Sequence, residues 1–508
     1  MAHLILVLMA LPGQSQFISV FGRKTQYDGL SGIIQAPNGS FWAVGYISGF
    51  GAGDYDITLV KVDQYGNYLW AKTFGSPGYD KPVEIISTSE KFIAVCHYEF
   101  GGFSGVLLVS FDFMGNLSWA KMLSGDDIRE PYSITQTFDE GFLVLSSTDK
   151  YDIALSRFDS AGNHLWSKAL IPPGSDAGFR AIQTSDCGFA IVGAVWVSLY
   201  DRYAMVCRFD STLNLLWAKI LGDPRWNSAN CVGETPDGSL VVAGYVDKGS
   251  TSPPRPFVAK FDLYGNLVWS KIFSDLEGEF NYLAVSNSGL ILVGTIGDWP
   301  TTYLVLIYMD YAGNLLWSRL IPLGESYNKP SSLIRTLDGG YMVSGISAFL
   351  ESGDNLLIKV DDGGNTCLQE SLSTVPANYT PYVFQGASCS IAVIQPEVND
   401  VELIVNTPLL RDSIICSTPL NEYVPEKSPH MFIVGREIIL LLPHSGSVSL
   451  FLYDAPGRLV ARPIDGFLEA GKHEVKLYNQ AGLPLHPGIY FVELVAGDKI
   501  LWARAVIR

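Results

Sequence analysis

A long internal repeat constrains the fold of this chain more than any other feature of its 508 residues. The segment Lys61 to Lys72, KVDQYGNYLWAK, recurs as FDFMGNLSWAK at Phe111 to Lys121 and in four later copies. A seventh copy, Lys359 to Asn365, keeps the Asp and the Gly-Asn pair but lacks the Trp. The Asp positions are 63, 112, 159, 210, 262, 310 and 361, so successive copies are 49, 47, 51, 52, 48 and 51 residues apart. This period is long enough for one four-stranded blade of a β-propeller.

Six of the seven copies carry a second signature between successive Trp segments, in which an Asx residue and a Gly precede an apolar run. The six turns are Asn38-Gly39, Asp139-Glu140-Gly141, Asp186-Cys187-Gly188, Asp237-Gly238, Asn287-Ser288-Gly289 and Asp338-Gly339. Such a turn supplies the positive φ of a tight hairpin, and the apolar run behind it predicts a buried strand. Each repeat is therefore predicted to hold four antiparallel strands. The predicted fold is all-β, with a seven-bladed β-propeller over residues 16–365.

The two ends of the repeat region predict how the ring of blades closes. Phe17 to Gly22 matches Trp70 to Gly75, because each segment places an aromatic residue five positions before a Gly. The seventh copy lacks a Trp strand, so we predict that Phe17 to Gly22 supplies it and joins the first and last blades. The alternative is that Cys367 to Leu372 supplies this strand.

The repeated Asp and Trp residues have a structural explanation. A Trp at this spacing fills the gap between neighbouring blades, the Asp accepts hydrogen bonds from backbone amides of the turn, and the Gly takes a left-handed conformation. We expect all of these repeated residues to have a structural role in the packing of the blades. They are Asp63, Trp70, Asp112, Trp119, Asp159, Trp166, Asp210, Trp217, Asp262, Trp269, Asp310 and Trp317.

The charge balance limits the partners of the protein. The chain carries 34 Lys and Arg against 51 Asp and Glu, a formal net charge of −17, and it has no basic block. Nucleic acid is therefore not an expected partner, because phosphate neutralisation needs clustered cations. No later uncharged apolar stretch approaches the ~20 residues of a membrane-spanning helix, and even Met431 to Pro443 is interrupted by Arg436 and Glu437.

Three segments outside the repeat are predicted to be separate parts. Residues 1–15 have an apolar core followed by small residues, which is typical of a secretory signal peptide. Residues 366–425 contain Cys367, Cys389 and Cys416, and we interpret them as a connector that partly packs on the propeller and that one disulfide could staple. Residues 426–508 alternate apolar and polar residues in short runs, which predicts a small β-sandwich.

Catalytic motifs are scarce in this sequence. It contains no HExxH, GxSxG or CxxC motif, and no His between Leu165 and Pro429. Two groups of carboxylates outside the repeat pattern follow a Trp strand: Asp126, Asp127 and Glu130, and Asp275, Glu277 and Glu279. A pair of them could act as acid and base on a glycan, and ordinary solvated loops are the alternative. We assign no catalytic residue, metal ligand or cofactor.

Three aromatic residues in loops are candidates for a ligand-binding surface. These are Trp226, Trp299 and Tyr303. Exposed aromatic rings often anchor a ligand or a partner. The alternative for each of them is packing between blades.

The repeats resemble those of secreted bacterial β-propeller repeat proteins, with a Gly-rich turn, an apolar strand and a closing D-x-x-G-N-x-x-W-x-K stretch. This resemblance covers residues 17–365. The D-x-x-G-x-x-x-W spacing is also similar to the Trp docking motif of pyrroloquinoline-quinone dehydrogenases. That family implies eight blades, an adjacent Cys pair and a calcium site, whereas this sequence predicts seven blades and has no adjacent cysteines. We therefore expect no quinone cofactor.

The C-terminal segment adds a second resemblance. Tyr453 to Val460, Gly471 to Val475 and Leu485 to Leu494, followed by a last strand, look like the C-terminal sorting domain of type IX secretion cargo and the related Ig-like domain of flagellar hook-capping proteins. The resemblance implies recognition by an outer-membrane export machinery and a secreted or cell-surface location. We therefore expect the protein to be a non-catalytic propeller that binds a protein or a glycan. The alternatives are an extracellular glycan hydrolase or lyase and, less favoured, a quinoprotein-like oxidoreductase.

Overall fold

The structure is a computed structural model that contains strands and no helix within the residues it describes. These residues are 16–22, 27–49, 52–124, 128–148, 152–171, 176–198, 200–247, 253–286, 288–297, 301–323, 327–348, 353–367, 370–372, 374–378, 382–385, 390–394, 397–400, 404–406, 411–417, 430–434, 437–442, 445–454, 458–469, 471–476, 478, 485, 488–496 and 499–507. Along 382–437 and 499–507 only the backbone is described. The predicted signal peptide, residues 1–15, lies outside this set. The chain forms two compact bodies, Met1–Leu420 and Asn421–Arg508, which we call the N-terminal and C-terminal bodies.

The N-terminal body repeats one arrangement of four antiparallel strands. After β1 (Phe17–Gly22), repeat A contains β2 (Asp28–Gln35), β3 (Phe41–Ser48), β4 (Tyr55–Val62) and β5 (Tyr68–Gly75), and repeat B contains β6 (Tyr79–Ser87), β7 (Phe92–Phe100), β8 (Phe103–Phe111) and β9 (Leu117–Ser124). Repeat C contains β10 (Pro131–Gln136), β11 (Phe142–Ser147), β12 (Ile153–Phe158) and β13 (His164–Ile171), and repeat D contains β14 (Asp176–Gln183), β15 (Phe189–Trp196), β16 (Arg202–Phe209) and β17 (Leu215–Gly222). Repeat E contains β18 (Ser228–Glu234), β19 (Leu240–Val246), β20 (Arg255–Phe261) and β21 (Leu267–Ile272); repeat F contains β22 (Gly278–Val285), β23 (Leu290–Ile296), β24 (Tyr303–Met309) and β25 (Leu315–Ile321); repeat G contains β26 (Asn328–Arg335), β27 (Tyr341–Ser347) and β28 (Asp354–Val360). Within each repeat, consecutive strands pair with each other.

The first strands of the repeats contact one another in a closed cycle. Strand β2 contacts β6, and the contacts continue through β10, β14, β18, β22 and β26 back to β2. A hydrophobic cluster fills the space between each repeat and the next. Between repeats A and B, for example, Trp42 packs with Phe92, and between repeats G and A, Met342 packs with Leu30. The fold is thus all-β and has the ring of repeated sheets that characterises β-propellers.

Strand β1 completes repeat G from the other end of the repeat region. It pairs antiparallel with β28, and Phe17 lies opposite Lys359, as Trp70 lies opposite Lys61 in repeat A. The predicted closure by residues 17–22 is therefore the one found. The alternative strand is not used in this way, because Glu370 and Ser371 pair with β25 of repeat F.

The predicted connector forms an outer layer of strands on the ring, and it belongs to the N-terminal body. Its strands are β29 (Glu370–Ser371), β30 (Ala377–Asn378), β31 (Tyr382–Gln385), β32 (Ser390–Ile394), β33 (Glu397–Asp400), β34 (Ile404–Asn406) and β35 (Arg411–Ser417). They pair antiparallel with β25, β21, β17, β13, β9, β5 and β1 in that order. The segment therefore runs round the ring against the order of the repeats. It covers the outer edge of each sheet, which would otherwise present unpaired backbone groups.

The repeated Asp and Trp residues hold the turns of neighbouring repeats together. Asp63 Oδ1 accepts hydrogen bonds from the amides of Tyr65 and Asn67, and the Asn67 side chain donates to Asp63 Oδ2. The indole of Trp70 lies against the corresponding turn of the next repeat, at Gly115. The same indole-to-glycine contact joins Trp119 to Gly162, Trp217 to Gly265, Trp269 to Gly313 and Trp317 to Gly364.

In four repeats, a buried cation of the third strand forms an ion pair with the Asp of the second signature, the Asx-Gly turn. Arg208, whose side chain is 1% exposed, lies 3.0 Å from Asp186. Lys359, also 1% exposed, lies 2.9 Å from Asp338. Asp139 with Arg157 and Asp237 with Lys260 repeat the arrangement. The Asp of this turn thus helps to neutralise a cation that is buried in the apolar interior.

The C-terminal body consists of two sheets. Its strands are β36 (His430–Val434), β37 (Glu437–Leu442), β38 (Gly446–Asp454), β39 (Leu459–Leu468), β40 (Gly471–Lys476), β41 (Gly488–Ala496) and β42 (Lys499–Ile507). One sheet has the order β36-β37-β40 and the other the order β39-β38-β41-β42. Ile438 and Leu440 of the first sheet share one core with Leu450 and Val492 of the second.

The cysteines fall into two groups. Cys96, Cys207 and Cys231 are buried within strands and Cys187 is exposed in its turn, and none of these four forms a disulfide bond. Cys367, at the start of the outer layer, is disulfide-bonded. Cys389 and the side chain of Cys416 lie outside the described part of the chain.

Candidate ligand-binding cavity

The ring of first strands encloses a cavity of about 1120 Å³. Each of the strands β2, β6, β10, β14, β18, β22 and β26 contributes residues to its wall. Because these strands contact one another in a cycle, the cavity lies inside the ring. A site of this size, shared by all the repeats, accommodates a drug-sized or larger ligand.

A β-bulge in each first strand shapes the wall. In every repeat the pairing with the second strand shifts by one residue near the start of the strand. The extra residues are Ser31, Val83, Tyr132, Phe179, Asn230, Asn281 and Ser331, and all of them line the cavity. A bulge releases one residue from the alternation of the strand and redirects its side chain. The bulges therefore form a ring of side chains around the cavity.

Aromatic side chains are prominent in the wall. The lining contains Tyr27, Tyr46, Tyr132, Phe179, Tyr245, Tyr282 and Tyr327. Burial raises the pKa of Tyr46, Tyr132, Tyr245 and Tyr282 above the ordinary phenol value. These phenols therefore stay protonated and can donate and accept hydrogen bonds.

Four cations also line the cavity, and they differ in how they are compensated. Arg180 lies 2.6 Å from Glu84; burial opposes its charge, but the Glu84 carboxylate raises the pKa of the guanidinium. Lys329 lies 4.0 Å from Glu279. The remaining two, Lys81 and Arg202, form no ion pair with a carboxylate within the described residues.

Glu279 is the one carboxylate among the lining residues that the structure describes. It accepts hydrogen bonds from the side-chain amides of Asn230, at 3.2 Å, and Asn281, at 2.8 Å. With Lys329 beside it as well, this carboxylate is fixed by its neighbours. It therefore acts as a positioned acceptor in the wall.

Of the residues predicted as a ligand surface, the two that the structure describes, Trp226 and Tyr303, are not among the lining residues of this cavity. Trp226 is half exposed and contacts Trp196 edge to face at 5.1 Å. The guanidinium of Arg202, a lining residue, lies 5.7 Å from the centroid of Trp196. Tyr303 packs partly buried against the cluster between repeats E and F. Trp299 lies outside the described residues.

The non-repeated carboxylates that the structure describes have separate partners. Asp126 and Asp127 lie outside the described residues. Glu277 pairs with Arg255 at 3.2 Å, and Asp275 accepts a hydrogen bond from Thr374. Only Glu279 of these six residues is among the described lining of the cavity.

Sequence reasoning missed most of the cavity. Its bulge residues include Ser, Val, Tyr, Phe and Asn, so no residue type marks the position. The one usable signal was the polar or aromatic residue near the start of each first strand, where an alternating strand facing a packed core would carry an apolar residue.

Two general features of the described residues bear on the kind of site. They contain no group of three or more His, Cys, Asp and Glu side chains that could hold a metal ion. In this same part of the chain, no helix is long and apolar enough to cross a membrane.

No protein-family model matches this sequence, and no curated protein matches it. Among solved structures, the polysaccharide lyase Uly1 is similar with a TM-score of 0.45 at 12% identity, over 65% of this chain and 90% of that one. The β-propeller domain of the trilobed protease from Pyrococcus furiosus, described as having an open velcro topology, has a TM-score of 0.42 at 10% identity, over 68% and 96%. PorZ, a surface component of the type IX secretion system of Porphyromonas gingivalis, has a TM-score of 0.16 at 11% identity, over 97% and 100%. Similarity at this level transfers no activity to this chain.

Proposed function

We propose that the N-terminal body is a closed seven-bladed β-propeller whose central cavity binds a glycan without cleaving it. The observation that carries this proposal is the cavity of about 1120 Å³, with its aromatic and hydrogen-bonding lining. Repeats A to G are the blades, with β1 as the last strand of repeat G. The cyclic contacts of the first strands support the count.

The lining suits a sugar chain better than a purely apolar ligand. The flat rings of Tyr132, Phe179 and Tyr245 offer surfaces for the C–H faces of sugar rings. Ser31, Ser228 and the Asn side chains offer donors and acceptors for hydroxyl groups. Apolar walls with a few placed polar groups are the usual design of a ligand pocket.

The arrangement of the acidic groups favours binding over hydrolysis. Glycoside hydrolysis generally uses two carboxylates on opposite sides of the scissile bond. The described lining contains Glu279 alone, and this carboxylate is held by Asn230, Asn281 and Lys329. Burial also raises the pKa of phenols such as Tyr46 and Tyr132, which disfavours a phenolate base at these positions.

Glycan binding can be tested with two aromatic variants of the full chain. Tyr132→Ala and Tyr245→Ala remove rings from the cavity, whereas Tyr264→Ala removes a ring that is 80% exposed outside it. Isothermal titration with neutral and acidic oligosaccharides of equal length measures the affinity. We expect at least one glycan to bind, both cavity variants to bind it at least about tenfold more weakly, and the Tyr264 variant to match the parent. If no glycan binds, or if chromatography shows cleavage products, the proposal is wrong.

We further propose that the C-terminal body is an Ig-like sorting domain and that the protein is exported to the cell surface or the medium. The proposal rests on its two-sheet core and on the sequence resemblance around Tyr453 and Gly488. Fused to an inert reporter in a bacterium with type IX secretion, residues 426–508 should carry the reporter outside the cell. When residues 488–508 are deleted from the full chain, the truncated protein should remain in the periplasm. Normal export of the truncated chain would leave the C-terminal body without a sorting role.

A further inference from the structure

We propose that the ligand of the central cavity is an acidic glycan, whose sugar rings carry carboxylate or sulfate groups. This inference rests on the proposed glycan-binding function and names the class of glycan. Its basis is the set of cations in the lining. They form a local positive site in a chain whose formal net charge is −17.

The charges of the cavity do not cancel. Arg180 is compensated by Glu84 and Lys329 by Glu279. Lys81 and Arg202 remain, so the cavity has an excess of two positive charges within the described residues. Uncompensated cations in a partly buried site are costly for the fold alone. An anionic ligand would remove this cost on binding.

Lys81 lies among groups that do not neutralise it. Its ammonium sits over the ring of Tyr46, 4.8 Å from the centroid. Burial and the charge of Lys329 lower the pKa of Lys81, and the charge of Glu130 raises it to a smaller extent. An anion bound beside Lys81 would favour its charged form and offset this repulsion.

Arg202 provides the second anchor. Its guanidinium is flanked by the rings of Phe179 and Trp196, at 5.4 and 5.7 Å from their centroids. Its Nε atom is buried and has no hydrogen-bond partner among the described residues. A buried donor without a partner is unfavourable, so it marks a position where a ligand acceptor would be stabilising. The planar fork of arginine matches carboxylate and sulfate oxygens in pairs.

The surroundings of Arg202 suggest how a longer chain would continue. Trp196 contacts both Arg202 and the half-exposed Trp226. The backbone of Trp226 also bridges to that of Arg202. A sugar next to the one bound by Arg202 can therefore stack on these indoles.

The inference is tested by comparing three probes of equal length on the full chain: oligogalacturonate, which carries carboxylates; κ-carrageenan oligosaccharides, which carry sulfates; and neutral cello-oligosaccharides. We expect at least one acidic probe to bind at least about tenfold more tightly than the neutral one, with an affinity that falls as salt rises. Tighter binding of the carboxylate or of the sulfate probe identifies the anionic group. Equal affinity for neutral and acidic probes would overturn this inference but keep the proposed function. Failure of all three probes overturns both.

Two charge variants locate the effect. Lys81→Gln and Arg202→Gln should each weaken binding of the acidic probe about tenfold and reduce its salt dependence, with little change for the neutral probe. Arg202→Lys keeps the charge but loses the fork, so we expect an intermediate loss. Arg335→Gln, which removes an exposed cation outside the cavity, is the matched control. Melting curves confirm that each variant is folded, and unchanged acidic binding in both folded Gln variants contradicts the assignment.

Discussion

A Cβ atom on Gly66 would lie 2.5 Å from Cδ2 of Phe17, so the Phe17 ring can occupy its place only because residue 66 is a glycine. Trp70 stands in the same relationship to Gly115, with a distance of 2.3 Å to its Cη2 atom. The closing strand β1 therefore makes with repeat A the contact that the Trp strands of repeats A, B, D, E and F make with the repeat after them. This contact joins the two ends of a region more than 300 residues long, since Phe17 pairs with Lys359.

Replacing Gly66 by Ala should weaken this closing contact. Gly66 has φ of 83° and Gly339 has φ of 89°, so an alanine at either position adopts an unfavourable left-handed conformation. That conformation costs about 1–2 kcal/mol. A Cβ on Gly339 meets nothing within 4 Å, whereas one on Gly66 meets Phe17. We expect Gly66→Ala to lower the free energy of unfolding in urea by more than Gly339→Ala. Equal losses would show that the contact with Phe17 adds nothing to closure.

Removing a repeat Trp should destabilise the ring without affecting ligand binding. Trp217 is 7% exposed, and its Nε1 donates a hydrogen bond to the carbonyl of Leu263 in the next repeat at 2.9 Å. Trp217→Ala leaves a cavity between repeats D and E, and we expect a loss of about 3–5 kcal/mol in urea unfolding. Trp226→Ala, at a half-exposed position, should cost about 1 kcal/mol or less. If the Trp217 variant kept its stability and lost a ligand, the repeat Trp residues would be ligand-binding and not structural.

The repeat architecture was predictable because its key contacts depend on residue type. The turn beginning at Asp63 needs a carboxylate that accepts two backbone amides, and the neighbouring Trp needs a glycine opposite it. These residue types recur at a visible spacing, although in repeat D the glycine is replaced by Leu213, which also has a positive φ of 67°. The loss of the Trp in the seventh copy was equally visible, and it led to the correct closing strand.

The cavity and the outer layer were not predictable, because the features that form them do not depend on residue type. A β-bulge requires one extra residue and no particular side chain, so Val83 and Asn281 occupy equivalent places with unlike chemistry. The outer strands pair through backbone groups, and they are between 2 and 7 residues long. Such pairing imposes no pattern on the sequence. The sequence therefore predicted a connector that partly packs on the propeller, but not the strand that it adds to each sheet.

Stability should decrease in acid because of the buried pair of Lys359 and Asp338. Burial opposes ionisation of Asp338, but hydrogen bonds from Thr336 and Lys359 and the Lys359 charge hold the pKa of its carboxyl below the ordinary value. A carboxyl whose pKa is depressed in the folded state stabilises the protein above its unfolded pKa of about 4. That contribution is lost as the pH falls through the folded-state pKa. We therefore expect the free energy of unfolding to fall below about pH 4.

The variant Asp338→Asn distinguishes the contribution of this ion pair to the free energy of unfolding from that of the other carboxyls. At neutral pH it leaves the ammonium of Lys359 buried without its ion-pair partner, and we expect a loss of about 3–5 kcal/mol. The acid-dependent part of the unfolding free energy should shrink in the variant. Asp237→Asn is the control, because the Asp237 side chain is 60% exposed against 20% for Asp338, and its loss should be smaller. Equal losses from the two variants would contradict a burial-dependent effect.

The outer layer should be essential to the N-terminal body, and two truncations can separate it from the C-terminal body. A chain ending at Leu420 keeps strands β29 to β35 and lacks only the C-terminal body. A chain ending at Asn365 also loses these strands, so the outer edges of β5, β9, β13, β17, β21, β25 and β1 become unpaired. Unpaired edges promote association with other chains. We expect the chain ending at Leu420 to be monomeric in light scattering and to melt as one unit. We expect the chain ending at Asn365 to melt at a lower temperature and to aggregate. A monomeric chain ending at Asn365 with the melting temperature of the longer one would show that the outer layer adds nothing to the stability of the ring.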